Sequence, residues 1–235
     1  MKKWKIALAV VSVFAVSVSA LLIAVAVREK YPQKILSKLG FSEYFNADNY
    51  MQQSYNECIQ QLRYDADAVF FGDSLVIQIN FQEHFPDSRI VNLGCSGDTL
   101  RSLLARCDMI AHLTPEKIFI EGGVNSLDDL TAEQAAAQYE QLLQTIREQN
   151  PTAQLYVHSV LPISPSQYSW RLTNDTIRDL NARLRPLAQQ YGAVYIDLYP
   201  LYEKDGVLSS DYTTDGIHLN EQGRALWLHV LEAYL

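Results

Sequence analysis

The chain has 235 residues and a formal net charge of −8, from 19 basic and 27 acidic side chains. A domain of this length buries an adequate core without disulfides or a structural metal. The acidic balance, with basic residues scattered beyond position 40, argues against nucleic acid as a partner. Cys58, Cys95 and Cys107 are odd in number and lack CxxC spacing, so we interpret them as small buried apolar residues.

The N-terminal segment differs from the rest. Lys2, Lys3 and Lys5 precede an uncharged apolar run over residues 6–27, which is long enough to span a roughly 30 Å hydrocarbon core. We therefore predict an uncleaved signal anchor, a transmembrane helix over residues 1–28, and a juxtamembrane linker over 29–48. A cleavable signal ending near Ala20 is the alternative. Basic residues on both flanks leave the orientation open. We expect the remainder outside the cytoplasm, membrane-anchored or secreted, because a lone N-terminal anchor usually serves export.

Residues 49–235 alternate short apolar runs with amphipathic segments, which predicts a parallel β-sheet covered by helices on both faces. The predicted strands cover residues 68–71, 90–93, 118–120, 155–160 and 194–196. A capping box at Thr131 and Gln134 predicts a helix to about residue 149, and a second helix covers about 174–191, before Gly192. A last helix follows Asn220. The predicted fold is an α/β three-layer sandwich.

Four polar segments follow these elements: FGDSL from Phe71, NLGCSGD from Asn92, GGVN from Gly122 and DGIH from Asp215. The first three come directly after strands, so they should meet at the carboxyl edge of the sheet, where open α/β sheets bind ligands. A compact fold can return the fourth to the same edge. A serine, a histidine and an aspartate brought together there could perform acyl transfer.

The segments FFGDSL, NLGCSGDT, GGVN and DGIHLN, in this order, resemble the four blocks of the SGNH/GDSL hydrolase family. The resemblance implies a flavodoxin-like five-stranded sheet and no cofactor or metal. It implies Ser74 as nucleophile, Asp215 and His218 as the rest of a catalytic triad, and Ser74, Gly97 and Asn125 as oxyanion-hole donors. The stretches YVHSVLPIS and YIDLYPLY resemble the branch of platelet-activating-factor acetylhydrolase-like esterases.

Some residues in these blocks have simpler interpretations. Asp73 is expected to bond nearby amides in its turn, Asp98 to act as the N-cap of the following helix, and Gly94 to meet a conformational requirement. One residue departs from the family pattern. The third block often continues with aspartate, whereas Ser126 follows Asn125 here, so the support of that loop is an open question.

Three further residues are predicted to contact substrate. His158 ends the fourth predicted strand, and Tyr168 and Trp170 lie in a long loop over residues 162–172. The expected function is a serine esterase acting on short-chain acyl or acetyl esters of glycans or lipids. Two alternatives remain. An acyltransferase would use the same triad, and a catalytically silent, membrane-anchored binding module would keep only the fold.

Overall fold

The computed structural model describes residues 65–165 and 172–235. The predicted anchor over residues 1–28 and linker over 29–48 lie outside these ranges, as do Tyr168 and Trp170. Within the described ranges, no helix combines the length and the apolar character needed to cross a bilayer.

Five parallel strands form the central sheet, in the order β2-β1-β3-β4-β5. The strands are β1 (Ala68–Gly72), β2 (Ile90–Gly94), β3 (Lys117–Ile120), β4 (Gln154–His158) and β5 (Ala193–Ile196). Each lies within two residues of its predicted position. The strands are short, apolar and mostly buried, which suits a sheet covered on both faces. The α/β class and the five-stranded parallel sheet expected from the resemblance are therefore confirmed.

Eight α-helices connect or flank the strands in the described part of the chain. They are α1 (Ser74–Ile77), α2 (Phe81–His84), α3 (Leu100–Arg106), α4 (Asp108–Ala111), α5 (Ala132–Gln149), α6 (Asn174–Gln190), α7 (Tyr199–Tyr202) and α8 (Glu221–Leu231). Thr131 and Gln134 form the predicted capping box of α5, and Asn220 caps α8. Gly192, with a φ of 65°, follows α6 as expected. A short hairpin of β6 (Glu203–Lys204) and β7 (Val207–Leu208) follows α7.

The sheet divides the buried side chains into two clusters. Val69 and Phe71 of β1 point to one face, where they belong to a cluster that includes residues of α3, α5 and α6. Ala68 and Phe70 belong to the cluster on the other face, which includes residues of α1 and α8. Alternate residues of a strand point to opposite faces, so one strand supplies both cores. This arrangement gives the three predicted layers and leaves the carboxyl ends of the strands free to carry a site.

Candidate active site

Ser74 lies at the point where β1 ends and α1 begins. It is half-buried, and as the first residue of α1 its N–H has no partner within that helix. Asp73 is the N-cap of α1, and its Oδ1 accepts a 3.0 Å hydrogen bond from the Leu75 N–H. The structural role predicted for Asp73 is therefore confirmed. The turn holds the hydroxyl of Ser74 at the carboxyl edge of the sheet.

Asp215 and His218 lie on the tight loop that precedes α8. The Asp215 Oδ1 accepts hydrogen bonds from the backbone N–H groups of Ile217 at 3.0 Å and His218 at 2.8 Å. The Thr213 Oγ1 donates to the His218 carbonyl at 2.7 Å and accepts from the Gly216 N–H at 3.0 Å. These bonds shape the Asp-x-x-His segment, so the carboxylate folds back toward the imidazole three residues later.

The three side chains form a continuous hydrogen-bonded chain. His218 Nδ1 lies 2.7 Å from Asp215 Oδ2, and His218 Nε2 lies 3.1 Å from Ser74 Oγ. With the imidazole proton on Nδ1 toward the carboxylate, Nε2 is left to accept the serine proton. Burial acts to raise the pKa of Asp215, but hydrogen bonds from the His218 side chain and from the backbone of His218 and Ile217 keep it below its usual value. A carboxylate held as an anion can stabilise a cationic imidazole.

Asn125 lies in a 3₁₀ turn (Val124–Ser126) that follows β3. Its Nδ2 donates to the Asp98 carbonyl at 2.9 Å, and it lies 3.4 Å from Asp73 Oδ2. The second contact is at the long limit for a hydrogen bond, so that amide hydrogen is only weakly engaged. Gly97 lies in the exposed loop between β2 and α3 with a φ of 81°. The hydrogen bonds place Asn125 beside the turn that carries Ser74.

Ser126, which replaces the aspartate of the family pattern, supports the loop that carries Asn125. The side chain of Ser126 is buried, and its Oγ accepts a 2.8 Å hydrogen bond from the Leu100 N–H at the start of α3. The third block is thus braced against the second by a hydroxyl. The contacts of Asn125 with Asp98 and Asp73 hold the same loop from its other side.

The prediction that Asp98 caps α3 is wrong. Thr99 is the N-cap and forms a capping box with Ser102. Asp98 instead forms a buried ion pair with Arg106, whose Nε and Nη2 both lie 2.6 Å from Asp98 Oδ2. The Arg106 Nη2 also donates to the Gly72 carbonyl at 2.9 Å. The pair therefore ties the loop of the second block to the end of β1.

Sequence reasoning missed Arg106 and also Glu121. Arg106 is 6% exposed and Glu121 is 1% exposed. Arg106 is eight positions from Asp98 and shares no helix with it, so sequence spacing did not reveal the pair. Glu121 could have been noticed, because a carboxylate that directly follows an apolar strand and precedes a Gly-Gly pair enters the sheet edge where the other blocks meet.

Asp73 and Glu121 are two fully buried carboxyl groups at the base of the site. Burial raises the pKa of Asp73 to about 6, although the Leu75 N–H and the nearby His218 act to lower it. Burial and the negative charge of Asp73 raise the pKa of Glu121 well above its usual value. The two groups therefore hold protons more tightly than exposed carboxylates do.

His158 lies in the apolar core beneath the carboxyl edge. It is 1% exposed, its ring centre is 5.3 Å from that of Trp227, and Phe119 lies 6.0 Å away. Neither ring nitrogen has a hydrogen-bond partner among the described residues, and burial lowers its pKa to about 3. This position is inside the core rather than at a pocket surface, so it gives no support to the predicted substrate contact. Nor do the described residues bear on the same prediction for Tyr168 and Trp170.

Comparisons with known proteins agree with this geometry. Residues 70–226 match the model of the GDSL-like Lipase/Acylhydrolase family. The human platelet-activating factor acetylhydrolase IB subunit alpha1 is 28% identical over 167 residues, which cover 68% of this chain and 71% of that protein. A solved structure from Streptococcus pneumonia, provisionally described as a platelet activating factor, is 24% identical. Its TM-score is 0.75, with 84% of this chain and 98% of that chain covered.

A carbohydrate esterase family 3 structure from Talaromyces cellulolyticus is similar in fold, with a TM-score of 0.57 at 16% identity over 72% of this chain and 95% of that chain. The family match extends over most of the sequence and includes Ser74, Gly97, Asn125, Asp215 and His218. The chain belongs to the GDSL-like lipase/acylhydrolase family.

Proposed function

We propose that this protein is a serine esterase that hydrolyses short-chain acyl or acetyl esters through an acyl-enzyme on Ser74. The observation that carries the proposal is the hydrogen-bonded chain from Ser74 Oγ through His218 to Asp215, with distances of 3.1 and 2.7 Å. These distances match what nucleophilic catalysis by serine requires. Membership of the GDSL-like lipase/acylhydrolase family supports acylhydrolase activity in general, without specifying the ester.

In the proposed reaction, His218 accepts the Ser74 proton as the hydroxyl oxygen attacks the ester carbonyl. The tetrahedral oxyanion is bound by the Ser74 and Gly97 N–H groups and the Asn125 side-chain amide. His218 then gives its proton to the leaving alcohol, and the acyl group stays on Ser74. In the second half, His218 takes a proton from water as the water oxygen attacks the acyl carbonyl, and returns that proton to Ser74 Oγ as the bond to the acid breaks. Each oxyanion donor would contribute about 3 kcal/mol of barrier stabilisation.

The preference for acetyl or other short acyl groups is supported by the names of relatives. The human relative is named a platelet-activating factor acetylhydrolase subunit, and the Talaromyces structure a carbohydrate esterase. Lipid and glycan esters therefore both fit the proposal. The reacting group would be the same small acyl carbonyl in each.

The test is turnover by the purified full-length chain of p-nitrophenyl acetate, butyrate and longer esters, beside Ser74→Ala. We expect the acetate and butyrate to be preferred and the variant to be inactive. Equal rates for the two proteins would refute the esterase proposal and favour a binding module. A rate that requires an added alcohol acceptor would identify an acyltransferase.

In the same assay, Trp170→Ala should change the preference for acyl-chain length. Identical preferences in the variant and the unsubstituted chain would exclude Trp170 from the acyl pocket.

A further inference from the structure

Glu121 is a buried carboxyl group for which the proposed reaction has no use. Its backbone N–H donates to the Phe71 carbonyl at 3.0 Å, which continues the pairing of β3 with β1 one residue past the end of β3. A Cβ atom placed on Gly72 would lie 2.4 Å from the Glu121 carbonyl oxygen, so the two backbones are in close contact. Glu121 therefore lies next to the Gly72-Asp73-Ser74 turn.

The surroundings of Glu121 offer little to stabilise a negative charge. Neither of its carboxyl oxygens has a hydrogen-bond partner of ordinary geometry within the described ranges. The nearby Asp73 N–H acts to lower the pKa of Glu121, but burial and the charge and side chain of Asp73 raise it by more. Arg106, the nearby buried cation, binds Asp98 and the Gly72 carbonyl through Nε and Nη2, and its Nη1 has no hydrogen-bond partner among the described residues. Arg106 is not among the groups that shift the pKa of Glu121. A buried carboxylate without a donor or a counter-ion is strongly disfavoured, so the group retains a proton.

Asp73 is the natural acceptor of that proton's hydrogen bond. The Asp73 Oδ1 accepts a 3.0 Å hydrogen bond from the Leu75 N–H, whereas neither Glu121 oxygen has a partner of ordinary geometry. A hydrogen bond between the two side chains acts to lower the pKa of Asp73 and to raise that of Glu121. When two adjacent carboxyl groups share one proton, the proton resides on the group with fewer donors. The remaining charge is then on Asp73, whose electrostatic neighbours include Asp98 and His218; Tyr139 of α5 is a further titratable group close to Glu121.

We infer that Glu121 is a positioning residue, which stays protonated and donates a hydrogen bond to Asp73, so that Asp73 remains an anion that holds the Ser74 turn. This inference rests on the proposed esterase function for its kinetic consequence. It adds Glu121, which lies next to the turn that carries Ser74, to the residues that the proposed activity requires. Glu121 itself does not touch the substrate.

Kinetics of Glu121→Gln and Glu121→Leu test the consequence. The glutamine keeps a neutral donor toward Asp73, so kcat should stay close to that of the unsubstituted chain. The leucine removes the donor, so kcat should fall about ten-fold or more while KM changes little. At alkaline pH the unsubstituted chain should lose activity as Glu121 ionises beside Asp73, and Glu121→Gln should not. A leucine variant with full kcat, or the same alkaline loss in the glutamine variant, would overturn the inference.

Tyr139→Phe is the matched control, because it removes another buried polar atom without a hydrogen-bond partner from the same region. We expect its kcat and pH profile to be unchanged. If the control lost activity as Glu121→Leu does, general repacking would explain both and the positioning role would be rejected.

Infrared spectroscopy tests the proton without any need for turnover. The difference spectrum between the unsubstituted chain and Glu121→Gln at neutral pH should contain the carbonyl stretch of one protonated carboxyl group. Its absence would reject the inference even if the protein is an active esterase. Conversely, inactivity of the unsubstituted chain on every ester, with the protonated band present, would refute the proposed function alone.

Discussion

Asp215 contributes to the site through both of its carboxylate oxygens. Oδ1 accepts two backbone N–H bonds that shape the loop, and Oδ2 contacts His218 Nδ1 at 2.7 Å. One side chain thus sets the loop conformation and the orientation of the imidazole. The backbone bonds require only an acceptor, whereas stabilisation of a cationic imidazole requires the negative charge.

Asp215→Asn should therefore lower kcat by a factor on the order of 10³–10⁴ with little change in overall stability. The amide can keep an acceptor for the backbone, but it lacks the charge and can present a donor to Nδ1. Steady-state kinetics with a p-nitrophenyl ester measure the effect. Asp211→Asn is the control, because Asp211 is an exposed aspartate on the same segment and should leave kcat unchanged. A fall of less than ten-fold for Asp215→Asn would contradict the triad.

Ser74, Asp215 and His218 could be named from the sequence because their types and order matched the four family blocks, and the structure brings their side chains together. Asp98 shows where that reasoning failed. An aspartate just before a helix is a common N-cap, but Thr99 occupies that position and Asp98 binds Arg106 instead. The local preference was satisfied by the neighbouring residue, and the buried guanidinium determined the role of the carboxylate.

At the scale of elements, the position of α1 depends on its close contact with β2. A Cβ atom on Gly94, at the end of β2, would lie 2.3 Å from the Ile77 backbone nitrogen at the end of α1. Gly94 is not among the described glycines with positive φ, so its requirement is space and not a left-handed conformation. The glycine lets α1, which carries Ser74 at its first turn, pack directly on the second strand.

Gly94→Ala should therefore destabilise the fold by at least about 2 kcal/mol and reduce kcat, because the clash with backbone can be relieved only if α1 moves. Chemical denaturation and ester kinetics measure the two effects. Gly206→Ala is the comparison. Gly206 lies in the β6–β7 turn with a φ of 83° and open space around a Cβ, so it should cost about 1 kcal/mol through backbone conformation and leave kcat unchanged. Equal effects on kcat would exclude the role assigned to Gly94.

The elements themselves were largely predictable. Continuous apolar runs identified all five strands, and the capping box identified the start of α5. The short helices α1, α2, α4 and α7 were not predicted, since four residues are too few to show a helical period. Tertiary packing decides such short elements.

At the scale of the whole molecule, His158 makes stability depend on pH. Burial lowers its pKa to about 3 in the folded chain, against about 6.5 when unfolded. Between these values the unfolded chain binds a proton that the folded chain does not, so the free energy of unfolding falls as the pH falls from about 6.5 toward 3. Asp73 acts in the opposite direction, because its raised pKa favours the folded state on acidification.

The substitution His158→Phe should remove the contribution of His158 to the pH dependence of stability. Both ring nitrogens lack hydrogen-bond partners within the described residues, so a phenyl ring forfeits no bond. The unsubstituted chain should lose about 2–3 kcal/mol more stability than the variant between pH 7 and pH 4.5. Urea denaturation at the two pH values gives the difference. Parallel losses in both proteins would show that His158 does not control the acid response, and a loss of esterase activity at neutral pH would restore its proposed substrate role.

The sequence alone determined the class of fold, the five strands and the family, and it named the three residues of the proposed triad, because apolar periodicity and block order are local signals. The membrane anchor over residues 1–28 and the linker over 29–48 stay predictions of that kind. Only the tertiary structure decided that Arg106 pairs with Asp98, that Ser126 braces α3, that His158 is enclosed in the core, and that Glu121 is buried next to the turn that carries Ser74. These outcomes depend on contacts between residues that are distant in sequence. They also depend on the high free-energy cost of burying a charge without a partner, and a local sequence pattern contains neither kind of information.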